Sequence, residues 1–340
     1  MRAEIFRLTE ENRECQAQIA ALRCRQMAPV HRTADITASS FGVTANLTST
    51  GDVRRMMEDL EAEIFQTSAA LSEFDFRGQS ARSHGHGSRA VDIELHNRVI
   101  PVLGSELVGL LTIASSRATP AILVQIALQT VISAWGFKSL GAWVLERESD
   151  QLEGFLTELY AEICRAGEWY TQDLDMRLRE IKPENYKDAA RWRTITRKQL
   201  VGKASTSCMA ASLLRQVVDV IILTRSGNGE PLSRKTIEAA FGDRIEAVLR
   251  LVLELNRDIG TRIVADELEA VFVDPGTTFD SRTMENMWPQ DDIGGLRASE
   301  LVVCTTGLGL RRRAQDHGGG MVFLKPKVLL RSTLGQLMSQ

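Results

Sequence analysis

Residues 120–137, PAILVQIALQTVISAWGF, carry no charged side chain. A helix drawn through them is apolar on nearly every side, and such a helix belongs either in a bilayer or at the centre of a protein core. Gln125, Gln129 and Ser133 decide between the two. They recur every four residues and would draw a polar stripe down one side, which lipid cannot satisfy. The segment is therefore expected to be a central helix sheathed by others. That requirement constrains the rest of the chain, which has to supply the sheath.

The sheath is legible as period. From 90 to 270 the pattern is helical almost throughout, a helical bundle domain. Pro101 and Pro120 interrupt its first part, and Gly136 and Gly141 punctuate the next. Amphipathic helices are predicted near 148–181, 184–202, 206–224 and 233–270, with breaks at Pro183, at SGNGEP (226–231) and at Pro275. In the last of them Ile237, Phe241, Ile245, Leu249, Val252, Ile259 and Ile263 hold one face. Residues 51–74 form another amphipathic helix, with a hydroxyl and an acid near Ser49–Asp52 to start it. Val53, Met57, Leu60, Ile64, Leu71 and Phe74 succeed one another by threes and fours, with Thr67 the polar exception. Such a helix either extends a dimer seam or packs back on the body, and packing back is commoner.

Residues 1–27 read as a coiled-coil helix. Ile5, Asn12 and Ile19 fall at a positions, and Leu8, Cys15 and Leu22 at d positions. Asn12 on that seam is a register device: two such amides pair across a parallel two-chain seam, whereas a slipped register buries an amide against hydrocarbon at about 1–3 kcal/mol. A homodimer or a heterotypic coiled-coil partner is the expected assembly. Residues 28–50, rich in Thr, Ser and Ala, form a linker, and 75–89 (DFRGQSARSHGHGSR) a flexible loop. The segment 271–340 is an irregular tail with a short hairpin. There LVVCTTGLGL (301–310) pairs with MVFLKPKVLL (321–330) around RRRAQDHGGG, and Pro326 confines the second run to an edge. The fold class is thus all-α for the most part: an amino-terminal coiled-coil helix, a multi-helix body and a short irregular or β-hairpin carboxy-terminal segment.

Composition removes several function classes. A net charge of −3 over 340 residues offers no field to attract nucleic acid or anionic lipid, so neither direct nucleic-acid binding nor membrane binding is expected. Five scattered cysteines form no C-x-x-C pair, and the charged opening residues do not read as a secretory leader. The expected compartment is intracellular, cytoplasmic or nuclear.

No enzyme class, cofactor or metal centre emerges from the motifs. Gly202-Lys203 is followed by Ala204, and Arg197 stands where a phosphate loop needs its leading glycine. Gly307-Leu308-Gly309 is too short for a dinucleotide fingerprint, and neither H-E-x-x-H nor G-x-S-x-G occurs. His84 and His86, even with Glu94 and His96, read as a solvated loop rather than a metal site. Cys208, at a helix start, reads as a small packed core residue. Glu158, Glu162, Glu168, Asp173 and Asp175 read as a solvated helix face.

The most distinctive stretch outside the coil is YKDAARWRTITRKQLVGK (186–203). Arg191, Trp192, Arg193, Arg197 and Lys198 could form a docking face, with arginines to grip acids and a Trp anchor. The blander arrangement pairs these cations with neighbouring acidic helices and puts Trp192 in the core, and it is the commoner one.

The stretches DVRRMMEDLEAEIFQTSAAL (52–71), CTTGLGL (304–310) and LKPKV (324–328) resemble a group of uncharacterised proteins of mushroom-forming fungi. That resemblance implies no activity and no site residue. The heptad helix ahead of a helical body also looks like fungal transcription regulators, whose metal-binding cysteine cluster and preceding basic helix this sequence lacks. The expected function is a non-catalytic protein-interaction or scaffold protein. The alternatives are a transcription-linked regulator without its own DNA-binding motif and a membrane-associated helical effector.

The coil makes a direct prediction. Asn12→Leu adds apolar area at the seam and should strengthen association while relaxing the two-chain register. Leu8→Glu should abolish association and leave the helical body folded. Light scattering across a concentration series checks this, and a wild type that is monomeric throughout would refute it.

Overall fold

Capping chemistry opens the first helix. In the computed structural model Ser49 is the N-cap of α1 (Thr50–Glu73). Its hydroxyl accepts the Asp52 N–H at 3.1 Å, and the Asp52 carboxylate accepts the Ser49 hydroxyl at 2.7 Å and N–H at 3.1 Å, a capping box. Those bonds hold the exposed Asp52 carboxyl below its ordinary range. The structure describes residues 49–74, 93–114, 120–145, 150–169, 183–200, 206–224, 234–262, 268–288, 300–312 and 320–337. All fall within one compact unit, Ala45–Gln340. The coil at 1–27, most of the 28–50 linker and the 75–89 loop with His84 and His86 lie outside them.

Among the described residues, six more helices come after it: α2 (Ile93–Ala114), α3 (Ala121–Gly141), α4 (Asp150–Trp169), α5 (Pro183–Leu200), α6 (Thr206–Thr224) and α7 (Arg234–Arg257). A π turn at Asp258–Arg262 closes α7. Six strands come next, β1 (Leu268–Val271), β2 (Glu285–Asn286), β3 (Val302–Gly307), β4 (Gly309–Arg312), β5 (Val322–Leu324) and β6 (Lys327–Leu330), and then α8 (Arg331–Leu337). Helices hold 73% of the described residues, so the class is mostly α with a small carboxy-terminal β segment.

The apolar segment is the axis of the fold. α3 is in contact with α1, α2, α6 and α7 and, on its remaining side, with β1 and β3. Leu128 and Ile132 are fully buried and Val124 half-buried. By length and composition α3 and α6 could each cross a bilayer, but α3 is enclosed by the protein's own elements. Its polar stripe is partly used: the Ser133 hydroxyl donates to the Thr306 carbonyl of β3 at 3.1 Å, tying helix to sheet. α1 packs back on the body, where Val53, Met57, Leu60, Ile64 and Leu71 are buried against α3 and α7. Thr67 fits that face because its hydroxyl donates to Glu63 on its own helix at 3.3 Å.

Boundaries differ from the periodic pattern in three places, each for a local reason. Pro101 does not end α2; the axis turns at Gly104, whose φ of 76° needs glycine. A Cβ there would also lie 2.9 Å from the Val303 carbonyl oxygen. The helix expected over 233–270 ends with the π turn, and Leu268 already begins a strand. The two carboxy-terminal runs do pair antiparallel, but each is bent in the middle, so the hairpin serves two sheets: β1-β4-β5 and β2-β6-β3. Pro326 sits at that bend, between the edge strand β5 and the central strand β6, where a ladder N–H is not needed. Gly309 lies against it, since a Cβ would come within 2.6 Å of Pro326 Cδ. Lys327 then reaches α1, with Nζ 2.5 Å from Glu61 Oε1.

Gln129 is the unsettled member of the α3 stripe. It is buried, and neither its Oε1 nor its Nε2 has a hydrogen-bond partner among the described residues. Replacing it with Met keeps the length and removes two desolvated polar atoms. Gln129→Met should therefore stabilise the fold by about 1–2 kcal/mol. An unchanged or lowered denaturation midpoint would refute the assignment.

Candidate functional site

A helix of α3's length leaves its last four carbonyls without donors from the helix interior, and here distant parts of the protein reach them. All four are answered. Lys138 O accepts the Ala142 N–H at 3.1 Å. Asn256, at the end of α7, donates its amide to Ser139 O at 2.8 Å, to Leu140 O at 3.1 Å and to Ala142 O at 3.1 Å, so one of its two hydrogens is shared. Arg197 Nη2 of α5 donates to Gly141 O at 2.7 Å. A guanidinium at this end also complements the helix dipole.

Arg197 is 6% exposed and packed on three sides. Its guanidinium carbon stands 5.2 Å from the centre of the Trp143 ring, and Nη1 lies 3.5 Å from Asn256 O. The π turn brings Gly260 flat against it, where any Cβ would strike Cδ and Nη1. Burial, and then the charge of Arg193 one turn away, pull the guanidinium down to about 10, which leaves it charged at neutral pH. Arg193 is 7% exposed, with its guanidinium carbon 5.9 Å from the centre of the Tyr160 ring.

The rings form a small core of their own. Trp143 meets Tyr160 edge-on at 5.5 Å between centroids, Trp192 lies 5.5 Å from Trp143, and Tyr160 stacks on Trp192 at 6.3 Å. Leu156 and Ala189 complete this core, which joins α4 to α5. The loop carrying Trp143 is fixed by Glu153 of α4, whose carboxylate accepts the Trp143 N–H at 2.8 Å and the Val144 N–H at 3.0 Å. Between this lobe and the main body lies a cavity of about 290 Å³, lined among others by Trp143, Tyr160, Arg193, Arg197 and the ion pair of Glu269 with Arg311 at 2.6 Å.

The five side chains expected as one docking face are therefore divided. Arg193 and Arg197 are turned inward, Trp192 is half-buried among the rings, and only Arg191 and Lys198 are exposed. Arg197 meets the Gly141 carbonyl and the Trp143 ring, and Arg193 meets the Tyr160 ring. The seam residues Ile5, Leu8, Asn12, Cys15, Ile19 and Leu22 lie outside the described residues. Cys208 is exposed at the first turn of α6 instead of packed in the core. The buried thiol is Cys304 on β3, which desolvation pushes up to about 12. Glu158 and Glu162 face solvent on α4 as expected. Asn256 and Glu153 were missed by motif reading because each acts through a single side chain on distant backbone, which leaves no local pattern.

No family model matches the chain, and neither does a curated protein or a solved structure.

Asn256 gives the sharpest test of this junction. Asn256→Ala removes the donors of one buried and two part-buried carbonyls and should lower stability by about 1–3 kcal/mol. A loss below about 0.5 kcal/mol in denaturant unfolding would show that the cap is dispensable.

Proposed function

We propose that the protein is a non-catalytic interaction protein that self-associates through the outer faces of α4 and α5, with the amino-terminal coil as a second contact between copies. The observation that carries this reading is the composition of those faces. On α5 the exposed residues Arg191, Ile195 and Lys198 fall at i, i+4 and i+7, and Ile195 is 56% exposed between the two cations. On α4, Leu152 and Phe155 are exposed one turn apart, Phe155 at 58%, and the exposed Glu158 and Glu162 continue along the helix. Each face has the form of an apolar anchor with charge beside it, the pattern by which one helix recognises another. The two faces carry opposite charge. A two-fold arrangement of copies can lay α4 of one on α5 of its partner and satisfy both contacts at once.

Phe155→Asp combined with Ile195→Asp should weaken self-association of the full chain at least tenfold, with the circular dichroism of the helices unchanged because both side chains already face water. Sedimentation equilibrium of wild type and variant, at low and high salt, measures this. Identical dissociation constants would place association elsewhere, and a monomeric wild type would remove the reading altogether.

A further inference from the structure

The core of the α4–α5 lobe is separate from the core around α3. Among the described elements α4 packs principally on α5, and α5 on α4 and on the π turn, whereas α1, α2, α6 and α7 each pack on α3. Between lobe and body lies the cavity of about 290 Å³, with Tyr160 and Arg193 on one side and Phe137 and Ile259 on the other. Protein interiors interdigitate with few voids larger than a water molecule, so this boundary is held at points and not by continuous packing. Arg197 supplies the best defined of those points. Its Nη2 donates to Gly141 O at 2.7 Å, its Nη1 lies 3.5 Å from Asn256 O, and Gly260 of the π turn lies flat against its side chain.

We propose that α4 and α5 form a latched lobe, which releases from the body as one cooperative unit well short of global unfolding, with Arg197 on Gly141 and Gly260 as the latch. The two helices stay together on release because Tyr160 of α4 packs on Trp192 of α5, with Leu156 and Ala189 beside them. Parting the helices would dismantle that core, whereas parting the lobe from the body breaks a charge-assisted hydrogen bond and the contact with the π turn. A polar boundary between packed units is the kind across which relative motion is the rule. Release does not unravel α3, because Asn256 belongs to α7 and keeps its bonds to Ser139 O and Leu140 O. Only the Gly141 carbonyl is handed to water. The latch lies on the inner side of α5, away from the exposed faces invoked for self-association, so either reading can fail alone.

Hydrogen exchange of the full chain, followed by mass spectrometry at urea concentrations below the unfolding transition, reads this directly. It is run at two protein concentrations, which separates protection by self-association from protection by the latch. Peptides of α4 and α5 are expected to share one opening constant, about a hundredfold or more above that of peptides from α3 and α7. Gly260→Ala drives a Cβ into Cδ and Nη1 of Arg197. It should raise the opening of α4 and α5 together by about tenfold and leave α3 and α7 as they were. Arg197→Lys keeps the charge but loses the planar fork that reaches Gly141, and it should act in the same direction. If Gly260→Ala does not fold, Arg197→Lys decides. Different opening constants for α4 and α5, or exchange of both only at the rate of α3, overturns the proposal. So does a variant whose lobe opens no more often than wild type, or one in which the increase is spread equally over all helices.

Discussion

The fold depends on how the carboxyl end of its central helix is closed. A helix apolar on all sides can be buried completely only if its terminal carbonyls are given donors inside the protein. For α3 those donors come from elements far along the chain, Asn256 at the end of α7 and Arg197 in α5. Neither contact is a local cap. Each forms only when α7 has docked on the body and the α4–α5 lobe has docked at the junction. The two caps therefore bind tertiary arrangement to the burial of one helix end, and the π turn after Asn256 is part of the same closure because it brings Gly260 against the Arg197 side chain.

The closure has an electrostatic consequence. A neutral donor such as Asn caps a buried helix end at little cost, whereas a guanidinium brings a full charge into a poorly screened site. Arg197 lies at the α3 dipole and over the face of Trp143, and burial and then Arg193 lower its proton affinity, with Glu153 and Tyr160 acting the other way. The rings of Trp143 and Tyr160 supply π faces for two cations, and the lobe's small core is built largely of rings, with Leu156 and Ala189 beside them.

How much was legible in the sequence depended on the range of each interaction. The burial of α3 could be read because eighteen uncharged residues leave few alternatives, and the start of α1 because Ser49 and Asp52 are three residues apart. The paired carboxy-terminal runs were visible as apolar blocks, but their division into two sheets rests on Gly309 meeting Pro326 seventeen residues on. The inward turn of Arg193 and Arg197 was hidden for a similar reason. Side-chain type suggests a surface for arginine, and only the distant carbonyl of Gly141 and rings of Trp143 and Tyr160 make an interior position tolerable. Glu61 and Lys327, more than 260 positions apart, could not be paired from either segment alone.

Helix α5 shows how little separates an interior role from an exterior one. Ala189, Ala190, Arg193, Thr194 and Arg197 are buried, while Arg191, Ile195 and Lys198 face water. Each residue turns the helix by about 100°, so Arg191 and Arg193, two positions apart, lie on nearly opposite sides. Hydrophobicity alone would place Ile195 inside and Arg193 and Arg197 outside, and the helix does the reverse. Its orientation is set by what the interior offers: an acceptor for Arg197 at the end of α3, and a small residue at 189 that packs into the ring core. Rotating the helix to bury Ile195 would gain roughly 2 kcal/mol of apolar burial. It would also strip Gly141 of its donor and take Arg193 and Arg197 off their rings, and the loss of a part-buried charge-assisted bond is of similar size. The cap thus decides which side of α5 meets solvent.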